Sequence, residues 1–179
     1  MTAIAHHREA PATAPLRILW VNPINQPGYD APIADLIGRV KLPNAEVHVV
    51  SLAIPEPVAL TNLEWRVFES RIWFPVTAIA RYAATHGFDG YAIGCFYDTA
   101  LDEAREISGD AVVCAPCQSA LQIVSNLANR FSVVIGVEKW KVQMEDRIRY
   151  YGYHDRLASF RTIGRHVDEF QQDTAATED

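Results

Sequence analysis

The sequence lacks the features that mark several large classes of protein. No run of about 18 apolar residues, the length that crosses a membrane as a helix, occurs in it, so we expect no membrane partner. No Gly-x-Gly-x-x-Gly follows the first predicted strand and there is no phosphate-binding loop, which argues against nucleotide chemistry. A Gly-x-Ser-x-Gly elbow is also absent, and this excludes the usual serine hydrolase arrangement.

Positive charge and cysteine are also scarce. The chain has 16 Lys and Arg against 22 Asp and Glu, without a basic run, so we expect no nucleic-acid partner. Three cysteines and no apolar signal core near the amino terminus predict reduced thiols and a cytoplasmic location. The six histidines show no ligand spacing, so no metal site is predicted.

The residues that are present predict a globular α/β protein. Apolar residues make up 49% of the 179 residues and charged residues 21%, which favours a packed core over disorder. Short apolar runs alternate with helical patterns, an order typical of an open parallel sheet flanked by helices. The predicted strands are 16–21, 46–52, 91–95, 111–114, 131–137 and 157–163.

The strand and helix pattern also predicts how the chain is divided. Four complete strand–helix units end near residue 129, and a second series then stops after about two strands. We therefore predict a flexible tail (1–15), a first α/β lobe (16–129), a partial second lobe (130–170) and an acidic tail (171–179). Between residues 62 and 86 we expect two helices, because Pro75 interrupts the helical pattern.

Cys95 is the leading candidate for chemistry. It ends a predicted buried strand that starts at Tyr91, and Asp98 and Thr99 follow where the cap of the next helix belongs. Ligands bind at the carboxyl ends of strands in such sheets, and a helix amino terminus favours the reactive thiolate. The alternative is a small buried core cysteine.

Two other predicted strand ends converge on the same edge. Asn22 and Asn25 follow the first strand, and their side-chain donors suit a carboxylate or an amide, although ordinary turn chemistry is the favoured explanation of these two residues taken alone. A helix start at Cys117 to Ser119 follows the fourth strand. A thiol beside such donors suits proton abstraction next to a carbonyl, or covalent attack on an electrophilic carbon.

Cys114 and Cys117 have the spacing of a dithiol redox motif at a helix start. The pair follows the fourth strand, however, whereas thioredoxin-like proteins carry such a pair on their first helix. We therefore do not predict a redox function for it.

Three segments, RILWVNPINQ, DGYAIGCFYDTALDEAREI and AVVCAPCQSALQIVSNLANRFSVV, resemble the aspartate/glutamate/hydantoin racemase superfamily in their order and spacing. The closest likeness is to hydantoin and allantoin racemases, over roughly residues 16–163. The resemblance implies two similar α/β lobes and a cofactor-independent reaction. In that reaction one thiol from each lobe removes or delivers a proton at the acidic carbon of a small substrate.

The resemblance also implies roles for individual residues. Cys95 matches the first-lobe cysteine, and Asp98 matches an acidic residue that caps the helix after it. The residues expected to hold the substrate are Asn22, Asn25, Phe96, Cys117, Gln118 and Ser119.

The sequence departs from the superfamily pattern in two places. Cys114 to Cys117 stand where related sequences carry Gly-x-x-Glu, and no second-lobe cysteine follows residue 163. We therefore expect a racemase-like isomerase of a hydantoin-type amino acid derivative, with a homo-oligomer or a partner chain covering the partial lobe. The alternatives are a one-thiol decarboxylase or cis–trans isomerase, and a non-catalytic relative that binds a small molecule.

Overall fold

A computed structural model of the chain describes residues 14–54 and 62–169. Its main sheet has four parallel strands: β1 (Leu16–Asn22), β2 (Ala45–Ser51), β3 (Gly90–Ile93) and β4 (Val112–Cys114). They lie in the order β2–β1–β3–β4, with Ile18 opposite both Val47 and Gly90. The carboxyl ends of β1 and β3 are therefore neighbours inside the sheet.

A second, smaller sheet follows. It contains two parallel strands, β5 (Phe131–Ile135) and β6 (Leu157–Thr162). The prediction of a parallel α/β fold flanked by helices is confirmed, with the strands divided between two sheets. Residues 1–13 and 170–179 lie outside the described ranges, so the predicted tails remain predictions, as does the division into lobes after residue 129.

Five α-helices accompany these strands in the described ranges. They are α1 (Asp30–Val40), α2 (Arg66–Thr85), α3 (Leu101–Ile107), α4 (Pro116–Leu127) and α5 (Lys141–Tyr150). Short 3-10 turns precede α1 and α5, and another follows β6 at Val167–Glu169. None of the described helices is long and apolar enough to span a membrane.

The predicted break at Pro75 is wrong, because α2 continues through it as a single helix of 20 residues. Pro75 has no N–H and cannot donate to the carbonyl of Arg71, so one helical hydrogen bond is missing. The helix nevertheless persists because Ile72 and Val76, on either side of the proline, are both fully buried in the same core. The stabilisation from packing the apolar face of α2 outweighs the loss of this one hydrogen bond.

One core joins the two sheets. Val21 of β1, Tyr91 and Ile93 of β3 and the buried face of α2 form its centre, and Met144 of α5 packs into the same cluster. Burying an aliphatic side chain of this size contributes about 1.5–3 kcal/mol. The main sheet and α5 are thus packed together, which brings residues after 138 close to the carboxyl edge of β1 and β3.

Candidate active site

Cys95 lies in a loop two residues beyond the end of β3. The N–H of Gly94 donates to the carbonyl of Val21 at 2.8 Å, which holds this loop against the end of β1. A Cβ at position 94 would lie 2.6 Å from Nε1 of Trp20 and 2.9 Å from the Val21 carbonyl oxygen. Only glycine therefore allows the chain to pass this close to β1 just before the cysteine.

Cys95 is half-buried and lines a cavity of about 280 Å³ at this edge of the sheet. The predicted site residues Asn22 and Phe96 line the same cavity. Most of its wall is apolar, with contributions from Ile24, Tyr29, Leu63, Tyr97, Trp140 and Met144. The cysteine thus faces an opening large enough for a small organic molecule.

Burial nevertheless changes the acidity of the thiol. Loss of water around Cys95 raises its pKa to about 12, and the hydrogen bond from the backbone of Tyr97 only partly opposes this. The expectation that a helix amino terminus favours the thiolate is wrong, because α3 begins six residues later, at Leu101. At neutral pH the thiol therefore carries its proton.

Asp98 fixes the shape of the loop that follows Cys95. Its backbone N–H donates to the Cys95 carbonyl at 2.9 Å, and its φ of 49° is in the left-handed region, where Asp is one of the few tolerated residues. Ala100, with a φ of 54°, is a second left-handed residue in the same loop. Two such residues in one loop beside a cavity are typical of a functional site.

The carboxylate of Asp98 is fully buried and accepts three hydrogen bonds. The N–H groups of Cys117 and Gln118 donate to Oδ1 and Oδ2 at 2.8 Å each, and the Tyr151 hydroxyl donates to Oδ2 at 2.8 Å. Burial raises the pKa of this carboxyl, while the three donors oppose the rise. Asp98 was expected to cap α3, but its side chain caps α4 instead, because the left-handed turn points it toward that helix.

The amides of Cys117, Gln118 and Ser119 are consequently not available to a substrate. Asp98 occupies the first two, and the N–H of Ser119 donates to the Ala115 carbonyl within the first turn of α4. The Cys117 side chain is fully buried in a second core cluster with Leu121 and Ile148. None of these three predicted site residues lines the cavity.

The two asparagines of the first loop have different positions. Asn25 is half-buried and does not line the cavity, whereas Asn22 does. Nδ2 of Asn22 donates to Oγ of Ser51 at 3.0 Å, and this hydroxyl in turn donates to Oδ1 of Asp30 at 2.6 Å. The donor of Asn22 is therefore used internally, and its carbonyl oxygen accepts no hydrogen bond from any described residue. We expected a donor here, and the structure offers an acceptor.

Glu64 is the residue that sequence analysis missed in the cavity wall. It precedes α2, its side chain is only 13% exposed, and its Oε1 lies 2.7 Å from Nδ1 of His166. No lysine, arginine or histidine is found among the described residues of the wall. No local spacing pattern pointed to Glu64, because it and His166 are 102 residues apart.

A buried polar network supports the loop from behind. The carboxylate of Glu69, in α2, accepts hydrogen bonds from Oγ1 of Thr99 at 3.2 Å and from Nε2 of Gln143 at 3.0 Å. Arg147 of α5 lies 3.8 Å from the same carboxylate. These contacts connect the Cys95 loop with both α2 and α5, so the cavity wall is fixed by three elements.

The chain is similar to known proteins along most of its length. The sequence model of a family described as Asp/Glu/hydantoin racemase matches residues 18–179. A hydantoin racemase from Pseudomonas sp. (strain NS671) is 36% identical over 90 residues, covering 50% of this chain and 36% of that protein. A hydantoin racemase from Paenarthrobacter aurescens is 25% identical over 161 residues, covering 90% of this chain and 66% of that protein.

The fold is also similar to that of a solved structure. Allantoin racemase from Klebsiella pneumoniae superposes with a TM-score of 0.82 and 23% sequence identity, over 91% of this chain and 64% of that one. This likeness establishes a shared α/β architecture. The matches span from about a third to about two thirds of the relatives' own length.

Proposed function

The chain belongs to the Asp/Glu/hydantoin racemase family, as its sequence motifs predict, and from this premise we propose that it is a racemase-type isomerase. Its substrate is a small, uncharged hydantoin-type compound with an acidic carbon next to a carbonyl. The Cys95 thiol exchanges a proton with that carbon. The observation that carries the proposal is the position of Cys95 in the wall of a cavity shared with Asn22 and Phe96.

The charges around the cavity favour a neutral ring over a dicarboxylate or a free amino acid. A carboxylate substrate needs a cation or several donors, because burying an unpaired charge is costly. The described wall has donor groups on Asn62, Tyr29 and Tyr97 but no cation. It also contains the Glu64 carboxylate, which repels another anion, and the carbonyl oxygen of Asn22. A hydantoin ring offers N–H donors, which suit the carbonyl of Asn22.

The apolar wall also suggests which hydantoins fit. Trp140, Met144 and Ile24 surround the space beside Cys95, so an alkyl or aryl group on the acidic carbon gains about 0.8 kcal/mol for each buried methylene. A polar ureido group, as in allantoin, loses hydrogen bonds to water there. We therefore expect substituted hydantoins with apolar side chains to be better substrates than allantoin.

The experiment uses single enantiomers of 5-benzylhydantoin, 5-isopropylhydantoin and allantoin, together with aspartate and maleate, in heavy water at pH 7. Optical rotation and the NMR signal of the acidic C–H are followed together, and the spontaneous rate is subtracted. We expect inversion and exchange of the two apolar hydantoins. Cys95→Ser should lower both rates by about 100- to 10,000-fold, while Cys114→Ser, at an exposed cysteine, should retain them.

Three results would count against the proposal. Full activity in Cys95→Ser would remove the thiol from the reaction. Turnover of maleate or aspartate in preference to the hydantoins would favour the one-thiol isomerase or decarboxylase. Saturable binding of hydantoins without any exchange of the C–H would favour a non-catalytic binding protein.

A further inference from the structure

Three polar side chains in the wall of the Cys95 cavity are held by hydrogen bonds to other parts of the protein. Asn22 ends β1, while Asn62 and Glu64 belong to the segment before α2. An amide or a carboxylate that is bonded internally through one atom keeps its other polar atom for a ligand. The internal bonds of these residues therefore determine which group each of them offers to a bound molecule.

Asn22 offers an acceptor. The Ser51 hydroxyl has one proton, and two of its neighbours, the Asp30 carboxylate at 2.6 Å and the Gln26 carbonyl at 3.0 Å, can only accept it. The Ser51 oxygen must therefore accept from Asn22, so the group that lies 3.0 Å from it is the Asn22 NH₂. The carbonyl oxygen of Asn22 is left over, and no donor among the described residues bonds to it.

Asn62 offers a donor. One atom of its amide bonds to the backbone N–H of Glu64 at 3.2 Å, and this atom must be Oδ1 because a backbone N–H only donates. The NH₂ of Asn62 is then without a hydrogen-bond partner in the described part of the chain. The wall also has the hydroxyls of Tyr29 and Tyr97, and the first of these donates to the Val167 carbonyl at 3.5 Å. Asn62 thus supplies the amide donor of this wall.

Glu64 offers a second acceptor. Oε1 of its carboxylate lies 2.7 Å from Nδ1 of His166, and none of the described residues donates to Oε2. The side chain is only 13% exposed, so a ligand that displaces the remaining water must itself donate to Oε2. The cavity, of about 280 Å³, therefore presents two acceptors and an amide donor to one small molecule.

We propose that Asn22, Asn62 and Glu64 together recognise a cyclic ureide edge, in which two N–H donors flank one carbonyl acceptor. The proposal rests on the function proposed above and specifies its substrate class. In a hydantoin this edge consists of N1–H, C2=O and N3–H, and it includes neither the acidic carbon nor its substituent. The Asn22 carbonyl and the Glu64 carboxylate each accept one ring N–H, and the NH₂ of Asn62 donates to the carbonyl between them.

The first test compares three small, uncharged rings by calorimetric titration of the unmodified protein at pH 7. Hydantoin and dihydrouracil carry the ureide edge, whereas succinimide has one N–H between two carbonyls. We expect the first two rings to bind about tenfold more tightly than succinimide or better, because succinimide leaves a buried acceptor of the protein without a donor. Equal affinities for the three rings would overturn the inference.

Variants then assign the individual contacts, with racemic 5-benzylhydantoin as the parent ligand. A racemate is used because its inversion produces no net heat. In the unmodified protein, methylation of either ring nitrogen and replacement of the C2 oxygen by sulfur should each weaken binding by about tenfold or more. In Glu64→Ala one methyl group should lose its effect, in Asn22→Ala the other should, and in Asn62→Ala the sulfur should. Glu106→Ala, at an exposed carboxylate of α3, is the control and should keep all three effects.

Each effect is a ratio of two affinities within one protein, so a variant that is only less stable does not change it. Undiminished effects of all three ring changes in the three variants would overturn the inference. Exchange of the acidic C–H without selectivity for the ureide edge would also overturn it, but would leave the proposed function intact. Selective binding of the ureide rings without any exchange would count against the proposed function and support the recognition inferred here.

Discussion

The N–H of Cys117 donates a 2.8 Å hydrogen bond to Oδ1 of Asp98, and this contact joins the loop of Cys95 to the first turn of α4. The two residues are 19 positions apart in sequence. A carboxylate at a helix amino terminus is stabilised by the unpaired N–H groups and by the helix dipole. The amides that a substrate was expected to use therefore hold the loop of Cys95 in place.

The first prediction concerns this contact. Asp98→Asn keeps the size of the side chain but turns one acceptor into an NH₂ group that faces the N–H donors. We expect the free energy of unfolding to fall by about 1–3 kcal/mol, because a buried donor loses its partner. Urea unfolding followed by circular dichroism measures the change. Asp110→Asn, at an exposed position, should shift the midpoint little, and equal midpoints for the two variants would contradict this role of Asp98.

The second prediction concerns the protonation of Cys95. The thiolate is the form that iodoacetamide attacks, and burial raises the pKa of the thiol to about 12. Its alkylation rate should therefore be low at pH 7 and rise about tenfold per pH unit between about pH 8 and pH 11. Peptide mass spectrometry follows the rate at Cys95, and free cysteine in the same solution is the reference. A plateau at Cys95 near pH 9, where free cysteine levels off, would show that the thiol is not shifted.

Much of the fold follows from local patterns in the sequence. The strands that begin at Leu16 and at Phe131 are apparent from their apolar residues, and both were predicted within about two residues. Pro75 shows where local rules fail. The proline predicts a break, but the burial of Ile72 and Val76 depends on tertiary packing that no short window contains.

The candidate site was predicted less completely for a related reason. Cys95 and Asn22 follow strands, and strand ends are visible in the sequence. The bonds of Asp98 and the pairing of Glu64 with His166 depend instead on contacts between distant segments. A left-handed turn after Cys95 redirects Asp98, and nothing in the residue types alone signals that turn.

The third prediction concerns Gly94. A methyl group at this position would meet Nε1 of Trp20 and the Val21 carbonyl, so Gly94→Ala should push the Cys95 loop away from β1. We expect a loss of about 1–3 kcal/mol in unfolding free energy, the usual result of overpacking, and slower exchange of 5-benzylhydantoin. Gly38→Ala is the control, since its added methyl meets nothing within 4 Å. Because Gly38 lies within α1, in its last turn, alanine there should stabilise the protein, by up to about 0.5–1 kcal/mol.

A Gly94→Ala protein with unchanged stability and exchange rate would show that the loop tolerates the displacement. Glycine would then not be needed at this position. A loss of exchange without any loss of stability would show that Gly94→Ala acts only by moving Cys95.

The last prediction tests the acceptor role of Asn22. Its amide nitrogen donates to Ser51, so under the proposed function its carbonyl oxygen is the atom that accepts a ring N–H. Asn22→Ala should lower kcat/KM for 5-benzylhydantoin by about tenfold or more, because a ring N–H loses its buried partner. Asn126→Ala, on the exposed side of α4, should leave kcat/KM unchanged. Methylation of the ring nitrogen that Asn22 contacts should reduce the rate in the unmodified protein but have little further effect in Asn22→Ala. If methylation of either ring nitrogen lowers the rate by the same factor in the unmodified protein and in Asn22→Ala, the Asn22 carbonyl does not accept a ring N–H. Removing that carbonyl should otherwise eliminate the effect of one of the two methyl groups.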